Sequence, residues 1–178
     1  MEEINSENYG GQEVTHTIRP RLDQGQIEMR ERPSGPAARK MKKALLTLHT
    51  LELMAVNIYR YQITGARDEI NRRLTEAMIN EMSHLQDFQR KLFEYGWRPS
   101  RLRWAYWIVG WVFGAFSRAL GTAARLRTGI WVESKAVRHY SELLEQVDWD
   151  EETRLMIEKN RDDESIHIES WKQLLSSL

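Results

Sequence analysis

No cysteine occurs anywhere in the 178-residue chain. That absence excludes a disulfide framework, an iron–sulfur cluster, a thiolate zinc site and a thiol nucleophile. Any metal must therefore be held by His, Asp or Glu. Proline is scarce, and three of the four (Pro20, Pro33, Pro36) fall in the first 36 residues, leaving Pro99 alone beyond them. No apolar run approaches the ~20 residues that a membrane-spanning helix needs. No alternating strand pattern of useful length is present, and no G-x-G-x-x-G marks a nucleotide-binding turn. Net charge is absent too, with 26 basic and 26 acidic side chains, so nothing points to a nucleic-acid partner.

The charge balance conceals a local absence. Residues 96–132 carry six arginines (Arg98, Arg101, Arg103, Arg118, Arg125, Arg127) and no acid, whereas residues 133–178 carry six bases and twelve acids. Five of the seven tryptophans (Trp97, Trp104, Trp107, Trp111, Trp131) also lie in that basic stretch.

Length favours one domain, and a chain of this size buries roughly two-thirds of its unfolded surface. Residues 1–36 are polar and lack apolar periodicity, which predicts a flexible or extended arm. No apolar stretch of signal-peptide type follows Met1, and Glu2, Glu3, Glu7 and Glu13 argue against an organelle transit peptide. Residues 37–178 form the domain proper. Helical spacing predicts helices over about 38–64, 67–95, 100–117, 119–147 and 151–176, with Asp148 and Asp150 supplying cap chemistry for the last. The expected fold is an all-α bundle of four core helices plus one extra segment.

An internal repeat carries the chemistry. Glu52-Leu-Met-Ala55-Val56-Asn-Ile-Tyr59 matches Glu133-Ser-Lys-Ala136-Val137-Arg-His-Tyr140. Glu81-Met-Ser-His84 follows Glu52 by 29 residues, and Glu164-Ser-Ile-His167 follows Glu133 by 31. In E-x-x-H the two side chains share one helix face. At 1.5 Å per residue, Glu52 and Glu81 stand roughly 20 and 24 Å from the turn at Gly65, so an antiparallel hairpin brings them level. The second half behaves likewise. Two hairpins face to face would gather Glu52, Glu81, His84, Glu133, Glu164 and His167 at the bundle centre. One Glu from each of two helices and Glu-x-x-His from each of the other two is the ligand set of carboxylate-bridged di-iron or di-manganese sites. A single E-x-x-H is commonly a surface pair; two copies at near-equal spacing within a duplication are not. Without metal, four buried carboxylates would cost several kcal/mol in desolvation and repulsion. Leu51, Leu53, Met82, Leu85, Ile166 and Ile168 are the expected apolar surroundings.

Other polar residues read less sharply. Tyr59 and Tyr140 lie two turns beyond Glu52 and Glu133, either as core tyrosines bonded to a partner helix or in a supporting or redox role. His49, one turn before Glu52, reads as helix-end or surface polarity. His139 lies about 120° off the Glu133 face and reads as an interfacial histidine. His16 falls in the arm. Trp104 to Phe116 is thirteen residues without a charge, bracketed by arginines. Such a segment lies in a membrane surface or caps the bundle with its rings toward lipid, unless it is an ordinary buried helix or an oligomer interface. Gly110 and Gly114 form a G-x-x-x-G that suits close helix packing.

Over about residues 40–175 the chain resembles the demethoxyubiquinone hydroxylase family of ubiquinone biosynthesis, ferritin-like di-iron proteins. The resembling residues are Glu52, Ala55, Ile58, Tyr59 and Gln62; Glu81, His84 and Phe88; Arg98-Pro99; Leu120 to Ala123; Val132, Glu133, His139 and Tyr140; and Arg161, Asp162, Glu164 and His167. It departs in Leu48-His49-Thr50-Leu51-Glu52, where the family has D-H-A-G-E, and in Ile168-Glu169 after the last histidine, which marks a divergent branch. The resemblance implies a ferritin-like bundle of two helical hairpins with an aromatic interfacial helix between them. It implies a monooxygenase that takes O2 and hydroxylates the ring of a prenylated benzoquinone, holding two iron ions, with manganese suited to the same donors. It places His139 and Tyr140 near the site, with Tyr59 as a further supporting residue. An external reductant, NADH or a reductase, is then required. The expected location is cytoplasmic and peripheral to the membrane; whether the chain forms a homo-oligomer stays open. The competing readings are a rubrerythrin-like di-iron oxidase or peroxidase, an iron-storage protein, and a metal-free membrane-surface bundle.

Overall fold

A computed structural model of the chain describes residues 27–178. These fold into five helices: α1 (Gly35–Gln62), α2 (Glu69–Glu94), α3 (Arg103–Ala119), α4 (Thr122–Gln146) and α5 (Glu151–Ser176). No strand occurs among the described residues. The all-α bundle of two helical hairpins plus one extra helix, expected from the repeat, is what forms. His16 and most of the proposed arm lie outside the described residues.

Each helix boundary has a local cause. Pro36 sits in the first turn of α1, where its missing N–H costs nothing, so the helix begins at Gly35. Asp68 caps α2 by accepting the amide of Asn71 at 2.7 Å, and Asp150 caps α5 by accepting that of Thr153 at 3.1 Å. The break between α3 and α4 falls at Gly121, whose φ of 94° suits a residue without Cβ; the sequence reading put it near residue 118 for want of a recognised stop signal.

Helix α1 packs along α2, and α4 along α5, giving the two hairpins; α3 lies against α1. The hairpins meet more loosely with each other, α1 with α4 and α2 with α5, because long polar side chains fill the space between them. Two apolar clusters close that space at its ends. One holds Leu45, Leu48, Phe88, Leu92, Tyr140, Leu144 and Ile157. The other holds Tyr59, Leu74, Ala77, Leu126 and Trp171. The Glu and His residues lie between them.

The apolar surroundings expected beside the ligands are therefore partly wrong. Met82 and Ile166 are 52% and 41% exposed. A residue adjacent in sequence to a ligand is turned about 100° away from it, so the seal comes from positions three or four residues off, such as Leu48 and Ala55 around Glu52.

Helix α3 touches α1 through its glycines. A Cβ on Gly110 would come within 2.5 Å of the Met54 carbonyl oxygen, and one on Gly114 within 2.5 Å of the Ile58 carbonyl oxygen. Its other faces expose Trp104, Ile108, Trp111, Val112 and Phe116. Phe113 stacks on Trp131 of α4, centroids 5.8 Å apart, and Tyr61 of α1 meets Trp107 edge-on. Gln62 joins three helices by donating to Ser117 Oγ and to the Arg125 carbonyl. Arg125, grouped with the exposed basic flank by its position in sequence, is instead buried and donates to Asn71 Oδ1 at 2.9 Å. No helix among the described residues is long and apolar enough to cross a membrane.

Residues 27–34 run without helix over one end of the bundle. The Arg30 amide donates to the Glu94 carbonyl at 2.7 Å, and its guanidinium pairs with Glu94, Asp150 and Glu152.

Candidate metal centre

The six repeat-derived residues converge as two overlapping groups. Glu52, Glu81, His84 and Glu164 form one, and Glu81, Glu133, Glu164 and His167 the other. All six side chains are buried, and within each group the ligand atoms lie within 4.8 Å of one another. Glu81 and Glu164 belong to both groups, so the glutamates of the two Glu-x-x-His turns occupy the shared positions. Each group also draws a residue from the opposite hairpin.

Contacts within the cluster follow an approximate two-fold symmetry. His84 Nδ1 lies 3.0 Å from Glu164 Oε1 and 3.7 Å from both Glu52 and Glu81. His167 Nδ1 lies 3.2 Å from Glu81 and 3.1 Å from Glu164. The tyrosines cross over: Tyr59 of α1 donates to Glu133 of α4, and Tyr140 of α4 donates to Glu52 of α1 at 2.5 Å. Trp171 Nε1 donates in turn to the Tyr59 hydroxyl at 3.2 Å. Both tyrosines thus bond to a partner helix and to a cluster carboxylate at once.

Burial and charge crowding set the protonation. Burial, with the charge of Glu81, pushes Glu52 up to about 7 against the pull of His84. Burial, Glu81 and Glu164 push Glu133 well above the usual carboxylate range. For Glu164 burial acts upward too, but the neighbouring imidazoles outweigh it and hold the group low. Burial opposes charge on His84 and His167, yet the surrounding carboxylates raise both well above the usual imidazole range. Burial and nearby carboxylates keep Tyr59 and Tyr140 as neutral donors.

The donor set fits a pair of divalent cations. Both oxygens of Glu81 and Oε1 of Glu164 are buried and make no well-aligned hydrogen bond, although His167 Nδ1 and His84 Nδ1 lie 3.2 Å and 3.0 Å from Oε1 of Glu81 and of Glu164. Orphaned acceptors of this kind are costly unless a cation takes up their lone pairs. Four carboxylates match the charge of two such ions.

Sequence reasoning missed two features. Asp163 accepts from His84 Nε2 at 3.1 Å, fixing the ring so that Nδ1 faces the cluster. The motif resemblance had singled out Asp162, which is exposed and pairs with Arg161. The one signal available was that Asp163 stands four residues before His167, on the same face of α5. His49, expected at a helix end or surface, is buried beside Gln89, and burial lowers its pKa. Its position three residues before Glu52 on a core-facing stripe was the overlooked clue.

A cavity of about 420 Å³ opens onto the cluster between α1 and α4. Glu52, Glu81, Glu133 and Glu164 form its floor, and Leu51, Met54, Trp131, Val132 and Ala136 its apolar walls. His139 also lines it, half-exposed, with Nδ1 3.8 Å from Glu142 and Nε2 buried without a partner.

Comparison with known proteins agrees with this architecture. The family described as "Ubiquinone biosynthesis protein COQ7" matches residues 39–173, a span containing all six residues. The chain is 29% identical over 121 residues to a 3-demethoxyubiquinol 3-hydroxylase of Polaromonas naphthalenivorans (strain CJ2), covering 67% of this chain and 58% of that protein. It is 31% identical over 124 residues to the protein of that name from Bordetella avium (strain 197N), and 27% over 124 residues to that from Pseudomonas putida (strain GB-1), covering 68% of this chain and 58% of each relative. The matched region thus spans 58% of the length of these relatives. With the family match extending over most of the five-helix fold and all of the Glu/His cluster, the chain belongs to the COQ7 family of ubiquinone biosynthesis proteins.

Proposed function

We propose that this chain is a di-iron, O2-dependent monooxygenase that hydroxylates the ring of a prenylated quinone precursor in ubiquinone biosynthesis, or of a closely related lipophilic substrate. The observation that carries the reading is the pair of buried groups sharing Glu81 and Glu164 at the floor of an apolar-walled cavity. Glu52 with His84, and Glu133 with His167, would each complete one ion's surroundings. When bound, two iron ions supply the O2 activation that no amino-acid side chain provides.

The remaining chemistry belongs to the chain. Leu51, Met54, Trp131 and Val132 exclude water and accept a planar ring. Tyr59 and Tyr140 hold Glu133 and Glu52 in place by donated hydrogen bonds. Asp163 fixes the tautomer of His84. His139, at the cavity wall with an unbonded Nε2, is placed to hold or pass a proton at a ring oxygen.

The substrate route follows from one residue. Trp131 lines the cavity and stacks on Phe113 of α3, so the wall continues into the exposed apolar surface of that helix. Trp104 and Phe116 on that surface are 61% and 65% exposed. A helix of this composition lies in the plane of a membrane interface, and the prenyl tail would enter from there. Electrons come from an external donor, NADH or a reductase.

Anaerobic iron loading followed by metal analysis and O2 exposure is the direct test. Roughly two irons per chain and an O2-dependent spectral change are expected. Fewer than about one iron per chain, with no spectral change, overturns the di-iron assignment. Expression in a strain lacking its own hydroxylase, with quinone profiling, tests the substrate separately: iron binding without restored mature quinone would identify a different substrate.

A further inference from the structure

Among the described residues, no acid pairs with Arg39, Lys42 or Lys43 near the start of α1. Arg39, Lys42 and Lys43 line a groove of about 260 Å³ together with Thr47, Ser100 and Tyr106. Spacings of three and four residues place the three cations on one helix face, where like charges repel. Among the described residues none of them forms an ion pair; Lys42 Nζ meets only the face of Trp97, 6.0 Å from the ring centroid. Arg98, Arg101 and Arg103, on either side of Ser100 in the chain, form no ion pair with a carboxylate among the described residues either.

Two other cation clusters in this protein are neutralised. Arg72 and Arg73 sit against Glu69 and Glu76, and Arg30, Arg90 and Lys91 sit against Glu94 and Glu152. The groove instead combines converging cations with hydroxyls. Ser100 Oγ accepts the Leu102 amide, which leaves its hydrogen available, and the Tyr106 hydroxyl makes no hydrogen bond within the described residues. Thr47 lines both this groove and the cavity over the Glu/His cluster, so the two adjoin.

We propose that this groove is a binding site for a phosphate-bearing group, held by Arg39, Lys42 and Lys43 with hydrogen bonds from Ser100 and Tyr106. A tetrahedral anion with several acceptor oxygens satisfies three cations and two hydroxyls at once. Two sources carry that chemistry: the headgroup of an anionic phospholipid beside α3, or a soluble phosphate ester reaching the cavity mouth. The site does not depend on the iron assignment.

The test uses the full chain in two arms. One is calorimetric titration with glycerol 3-phosphate. The other is co-sedimentation with vesicles of phosphatidylcholine alone and of phosphatidylcholine mixed with phosphatidylglycerol. The variant Arg39→Gln/Lys42→Gln/Lys43→Gln is compared with a charge-matched control on α5, Arg154→Gln/Lys159→Gln/Lys172→Gln, since α5 makes no contact with α3. A lipid source predicts a preference for phosphatidylglycerol vesicles that falls about a hundredfold in the groove variant, at about fivefold per charge, and is kept in the control. A soluble source predicts one-to-one titration by glycerol 3-phosphate with the same selective loss and no vesicle preference. Ser100→Ala/Tyr106→Phe keeps every charge and the helix, and lowers whichever binding is found by about tenfold. The proposal is overturned if the wild type binds in neither arm, or if the groove variant loses no more than the α5 control.

Discussion

At the scale of single residues, the cluster divides into groups that would hold metal and groups that hold those groups still. Asp163 is of the second kind, reaching His84 from another helix. Asp163→Asn removes the charge that orients the ring while keeping its shape, and should weaken iron binding 10–100-fold, read by competition with a chelator. An unchanged affinity would leave Asp163 as packing alone. Glu52 gives a pH prediction. It titrates near 7 in the folded chain against 4.5 for an ordinary glutamate, so the metal-free fold binds an extra proton between those values. Its share of stability is present below about pH 4.5 and is lost as pH rises through about 7. Thermal melts of chelator-treated protein should therefore fall across that window, and Glu52→Gln should flatten the decline. A divalent ion held by these residues would displace the same protons, so affinity for it should rise with pH. The six ligand-type residues were legible in the sequence because helical spacing and a duplicated motif suffice to place them. Asp163 was not, because its role depends on how α2 and α5 are set against each other. Buried His49 and Arg125 escaped for the same reason: isolated polar residues on a helix carry no mark of what a neighbouring helix covers.

At the scale of elements, α3 is the helix whose composition was clearest and whose packing was least so. Its G-x-x-x-G was a weak signal alone, yet both glycines lie against α1 backbone, which is why the remaining faces are left outward. Gly114→Ala places a methyl group 2.5 Å from the Ile58 carbonyl, a backbone atom that cannot swing aside. Overpacking of this kind should cost about 1–3 kcal/mol in urea unfolding, and should shift α3 enough to weaken flotation with liposomes. Loss of neither would mean that α3 can ride outward on α1 without consequence. The helices and their order could be read from periodicity and Gly/Pro punctuation. The α3–α4 boundary was missed because Gly121 follows a run of residues that suit a helix equally well on either side.

At the scale of the whole molecule, the N-terminal strap and the repeat set the limits of independence of each part. Arg30 joins residues 27–34 to the ends of α2 and α5 through Glu94, Asp150 and Glu152. Asp150 is held at about 2 despite partial burial, by Thr153, the Tyr95 hydroxyl and Arg30, against 3.8 for an ordinary aspartate. Its contribution is present above about pH 3.8 and lost as pH falls through about 2. Asp150→Asn keeps the helix cap but not the charge, so it should melt below the wild type near neutral pH, with the gap closing between about pH 4 and about pH 2. A constant gap would assign the effect to capping instead. The repeat has a historical consequence. Neither hairpin holds a complete four-residue group, since each borrows a glutamate from the other. Two identical copies of one hairpin would lend each other that glutamate equally well. An ancestral half-length chain would then have gained its metal only on pairing, at a rate and yield set by its own concentration. Fusing the halves removes that dilution penalty and frees the two copies to diverge. The departures from symmetry seen now, Asn80 where the second half has Asp163, are what such release permits.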